Sequence, residues 1–112
     1  MKAVFIDNDI FGLKNGSEYE VLARDDLGSY RIVNAYGESY LHSTDAFRLL
    51  DGSDEALQTD DEYWQSVRDS ERVRTFLRDI EPGMPMDEFQ DLTVKANLSE
   101  DEYLVCWDYV RQ

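Results

Sequence analysis

The hydrophobic residues of this chain change their spacing part-way along, and that change limits the fold more than any other feature. Tyr19, Val21 and Ala23 alternate with Glu18, Glu20 and Arg24, the period of a strand buried on one face. Beyond Asp60 the period lengthens. Val73, Phe76, Leu77 and Ile80 recur at steps of three, one and three, which places them on one side of a helix. Strands first and helices second predict an α+β chain.

The early segment breaks into short pieces at glycines. Lys2 to Ile6 forms a first apolar strand, and Tyr30-Arg31-Ile32-Val33-Asn34 returns antiparallel after a turn at Leu27-Gly28-Ser29. A second turn at Asn34–Glu38 leads to Ser39-Tyr40-Leu41-His42, and Asp45–Leu50 supplies one helical turn and a last short strand. Four or five short strands with a turn signal at each break predict a small twisted barrel.

The stretch Lys14-Asn15-Gly16-Ser17-Glu18-Tyr19-Glu20-Val21-Leu22, followed by Tyr30–Asn34, Gly37-Glu38 and Phe47, resembles a group of small SH3-like β-barrel proteins common in Firmicutes and their phages. The resemblance spans residues 1–50. It departs at Ser17, where those proteins often carry Lys, and at Ala35-Tyr36, where an Asp is usual. It implies a barrel and a phage or prophage origin, and it implies no activity.

The expected organisation is an SH3-like β-barrel over 1–52, an acidic joint over 53–59, and a helical module over 60–112 packed on the barrel. Three or four short helices fit the last part. Tyr63, Trp64 and Val67 share one face, and Ser70 is placed to cap the next helix. Glu81-Pro82-Gly83-Met84-Pro85 stops it. Asp87 is expected to cap a third helix with Phe89, Leu92 and Ala96 inward. Ser99 and Glu102 form a capping box for a last helix that turns Tyr103, Leu104, Trp107 and Val110 inward.

Charge decides the class of partner. The chain has 25 acidic and 11 basic side chains, net −14, over 112 residues. A disordered acidic tail would lack the 42% hydrophobic content that accompanies this charge. Residues 1–50 hold eight acids and five bases, 51–59 three acids, and 60–112 fourteen acids and six bases. That field repels duplex nucleic acid and anionic membrane and attracts a basic protein surface. It also exceeds the magnitude of about 2–8 that suits a small soluble domain. First-turn acids account for part of it by complementing helix dipoles.

The chemistry-bearing motifs are sparse. Asp7-Asn8-Asp9 with Gly12 and Glu18 follows the outline of a calcium loop, but Phe11 replaces an oxygen donor and Lys14 sits among the ligands. A helix-turn-helix reading of residues 87–111 fails on charge, since the second helix opens Glu100-Asp101-Glu102 and offers only Arg111 as a base. Cys106 and His42 are single copies, with Cys106 among Leu104, Val105 and Trp107 in a helix, where it acts as a small hydrophobe. The pairs Asp25-Asp26, Asp60-Asp61 and Asp87-Glu88 arise from composition in so acidic a chain. No catalytic residue, cofactor or metal is expected.

One cysteine excludes an internal disulfide, no apolar run approaches the ~20 residues of a membrane span, and the N-terminal apolar run is too short for a signal peptide. The expectation is a soluble protein of the bacterial cytoplasm. The function expected is non-enzymatic: a phage- or prophage-encoded acidic protein that docks on and inhibits a basic host protein, with a nucleic-acid-processing or defence enzyme as the natural target. An immunity or antitoxin partner of a basic toxin uses the same physics, and an SH3-like structural adaptor is the further alternative. The expected contacts are Asp60, Asp61, Glu62, Asp87, Glu88, Asp91, Glu100, Asp101 and Glu102. Trp64, or else Tyr63 or Tyr109, would be the apolar anchor.

Overall fold

A computed structural model describes residues 1–112. The chain is α+β and divides into two compact units, Met1–Tyr63 and Trp64–Gln112. Five strands form the first: β1 (Lys2–Phe5), β2 (Glu18–Arg24), β3 (Ser29–Val33), β4 (Ser39–Ser43) and β5 (Phe47–Leu49). They make one open antiparallel sheet in the order β4-β3-β2-β1-β5. The chain thus returns its last strand to the side of its first. A closed barrel was the expectation from the strand count, whereas β4 and β5 remain the two edges of the sheet.

Alternation in β2 turns Tyr19, Val21 and Ala23 inward as its period requires. The register slips between Val21 and Ala23, a bulge that bends the strand between its two neighbours. The core gathers Ala3, Phe5, Leu13, Tyr19, Val21, Tyr30, Ile32, Phe47 and Leu57. Leu57 corrects the reading of residues 53–59 as a polar joint. A 3-10 turn at Asp54–Ala56 carries Leu57 into the sheet core, and Arg24 donates its backbone N–H to the Gln58 carbonyl at 3.0 Å.

The four helices are α1 (Asp60–Asp69), α2 (Glu71–Leu77), α3 (Met86–Lys95) and α4 (Glu100–Val110). None is long and apolar enough to cross a membrane. Ser70 caps α2 by accepting the Val73 N–H, and Ser99 with Glu102 closes the capping box of α4. Pro85, and not Asp87, occupies the cap position of α3. Its fixed φ and missing N–H suit it to a helix start, which leaves Asp87 inside the first turn.

The helical core consists of Val73, Phe76, Ile80, Phe89, Val105, Cys106 and Val110. Phe89 is fully buried, with the rings of Tyr103, Trp107 and Phe76 centred 5.3, 6.1 and 6.3 Å away. Leu104, expected inward, is exposed. It lies two residues from Cys106, about 160° around the helix, and α4 buries the Cys106 side.

Candidate protein-binding surface

The acidic residues anticipated as contacts have different local duties. Asp60 begins α1 and pairs with Arg31, which is only 8% exposed. Its Oδ1 accepts from Arg31 Nε at 2.5 Å and its Oδ2 from Nη2 at 3.3 Å. Arg31 Nη1 also donates to the Ser39 carbonyl at 3.3 Å and the Ser39 hydroxyl at 3.2 Å. The guanidinium carbon lies 5.8 Å from the Tyr63 ring centroid. Asp60 is therefore consumed inside its own unit.

Glu62 is exposed but turned back on the chain. Its Oε1 accepts from both the N–H and the hydroxyl of Thr59 at 3.0 Å, while its own N–H donates to Thr59 Oγ1 at 3.2 Å. These two Thr59 donors hold the Glu62 carboxyl below its ordinary value. Glu102 is half-buried, accepting from Ser99 N–H at 2.8 Å and Arg72 Nε at 2.9 Å. Burial works to raise its carboxyl; the Arg72 guanidinium and the Ser99 donors overcome this and hold it low.

Asp61, Asp87, Glu88 and Asp91 face solvent. Asp87 and Asp91 are one turn apart on the same side of α3. Glu100 is exposed and Asp101 half-buried in the first turn of α4. The contacts are divided between the two units. Asp60, Asp61 and Glu62 belong to the first unit and the other acids to the second. Counted by unit, the first has fourteen acids and five bases, net −9, and the second eleven acids and six bases, net −5.

The three anchor candidates are half-buried. Trp64 and Tyr109 are half-buried against the helical core, and Tyr63 is half-buried beneath Arg31. None presents a free ring. Comparison with protein-family models, curated proteins and solved structures gave no match.

The exposed aromatics lie elsewhere. Phe11, 76% exposed, and Tyr36, 62% exposed, stack with centroids 4.7 Å apart and planes at 25°. Both are in loops, and neither belongs to a periodic pattern. The available signal was an apolar pair, Ile10-Phe11, inside a segment otherwise made of Asp, Asn and Gly, since loops held on a rigid scaffold often carry binding residues.

The loop that resembles a calcium site binds itself. Asp9 Oδ1 accepts from Asn15 N–H at 2.7 Å, and Asn15 Nδ2 donates to the Asp7 carbonyl at 2.9 Å. No group of three or more His, Cys, Asp or Glu side chains could hold a metal ion. Cys106 is buried, and burial followed by the Glu102 carboxylate pushes its thiol up to about 11. His42 lies in the first unit and Cys106 in the second.

Proposed function

We propose that this chain is a non-enzymatic binding protein whose partner is a basic protein surface. The observation that carries this reading is the disposition of the charge: nineteen of the 25 acids face solvent and none is buried. Asp60 and Glu102 are half-buried in internal ion pairs, whereas most of the acids are left on the surface. A field of this sign speeds encounter with a cationic partner, and salt screens it. Blocking a basic nucleic-acid-processing or defence enzyme is the role this chemistry fits. For the first unit we propose an SH3-like scaffold in which the barrel is left open between β4 and β5. Support comes from the return of β5 to β1, the 3-10 turn at Thr44–Ala46 before β5, and the bulge in β2.

The test is capture of partners from a bacterial lysate by the full chain, followed by association kinetics at several salt concentrations. A basic partner is expected, with an association rate that falls as salt rises. Joint replacement of Asp87, Glu88 and Asp91 by Lys should slow association most visibly at low salt. A captured partner whose association rate is indifferent to salt refutes the reading.

A further inference from the structure

We infer that the stacked pair Phe11 and Tyr36 is a docking shelf for an arginine-bearing, basic segment of a partner protein. This deepens the proposed function and rests on it. Two near-parallel rings cover one face each of the other and leave the remaining faces outward. They flank a pocket of about 340 Å³ with Leu13 and Tyr19 behind them.

The shelf is held by hydrogen bonds to its backbone. Ile10 and Leu13 exchange N–H···O bonds at 3.0 and 2.9 Å, and Ala35 N–H donates to the Gly12 carbonyl at 3.0 Å. Asn34 Oδ1 accepts from Tyr36 N–H at 2.9 Å and Glu38 N–H at 3.1 Å, fixing the turn that carries Tyr36. Tyr19 Oη accepts from Lys14 N–H at 2.7 Å. Aromatic surface fixed before binding costs little ordering when a ligand arrives.

Charge identifies the occupant. Asp7 and Asp9 lie on the loop of Phe11, and Glu38 on the turn of Tyr36; Lys14 is the single opposing charge at the pocket. The unit as a whole carries fourteen acids against five bases. Exposed ring faces in a negative field attract a planar cation, and guanidinium stacks on the ring while its charge suits that field and the Asp9 carboxylate at the pocket.

The experiment titrates the full ¹⁵N-labelled chain at low salt with a short peptide alternating arginine and alanine, and with its neutral citrulline counterpart. Saturable amide shifts at Phe11, Gly12, Tyr36 and Gly37 with the arginine peptide alone are expected. Phe11→Leu and Tyr36→Leu keep an apolar side chain but remove a ring face, and each should weaken binding about two- to fivefold. Lys14→Glu should tighten it. Equal affinity of the Leu variants, or equal binding of the citrulline peptide, overturns the shelf. Shifts confined to α3 and α4 overturn the shelf and leave the basic-partner reading standing. No shift anywhere at millimolar peptide overturns both.

Discussion

Arg31 and Asp60 are joined across 29 residues of chain, and their removal should be strongly unequal. Asp60→Ala takes its carboxylate partner from a guanidinium that is 8% exposed and that also meets the Ser39 oxygens and the Tyr63 face. Losing one partner of a buried ion pair costs about 3–5 kcal/mol. The Asp60 side chain is itself 16% exposed, so water enters the gap and the expected loss falls to about 2–3 kcal/mol. Arg31→Met removes the charge and keeps the volume. The orphaned carboxylate then sits at the start of α1, where the helix dipole favours it by roughly 0.3–1 kcal/mol, and about 1 kcal/mol should be lost. Asp61→Ala is the control, an exposed acid in the same first turn, with an expected effect within about 0.5 kcal/mol. Hydrogen exchange at the Val21 and Ile32 amides reads the sheet unit separately from the helices. If Arg31→Met costs as much as Asp60→Ala, or Asp61→Ala as much as Asp60→Ala, the cost does not come from a buried cation deprived of its carboxylate.

Two further perturbations test the sheet unit. Gly12 has φ +79°, and a Cβ there would meet Asn34 Nδ2 at 2.9 Å; Gly12→Ala should cost about 2 kcal/mol and shift the Tyr36 and Glu38 amides that Asn34 holds. Unchanged spectra and denaturation midpoint would contradict the close approach. His42 has a buried Nε2 without a hydrogen-bond partner, and burial lowers its pKa below 6.5. The unfolded chain therefore binds its proton first, and the neutral ring's contribution is lost as pH falls below about 6.5. His42→Phe should flatten the stability–pH curve between pH 7 and 5; an unaltered curve there refutes this.

What was legible in the sequence was local. Ser99 and Glu102 are three residues apart, and their capping box needs no information from elsewhere. Tyr19, Val21 and Ala23 show the pleat directly. Long-range pairing was hidden. Nothing in the run Asp60-Asp61-Glu62 distinguishes the acid bound to Arg31 from its exposed neighbour, because the distinction comes from tertiary placement. Leu57 looks like an isolated apolar residue in an acidic stretch until the 3-10 turn before it aims it inward. Leu104 and Cys106 show the limit of periodicity: a helix with apolar residues on several sides buries whichever side its neighbours cover. Phe11 and Tyr36 meet only because two loops 25 positions apart converge, a relation no local pattern carries.

An open sheet leaves two rows of backbone groups that another strand can join. β5 is three residues long and carries Arg48, which discourages such pairing. β4 runs Ser-Tyr-Leu-His-Ser with Tyr40 and Leu41 exposed, and it has neither Lys nor Pro to block a neighbour. At neutral pH the mutual repulsion of chains at −14 keeps two such edges apart. Near pH 4.2 the chain becomes electrically neutral and that repulsion vanishes. Self-association through β4 then becomes the main hazard to solubility, so the acidic surface also serves as the guard of an unprotected strand.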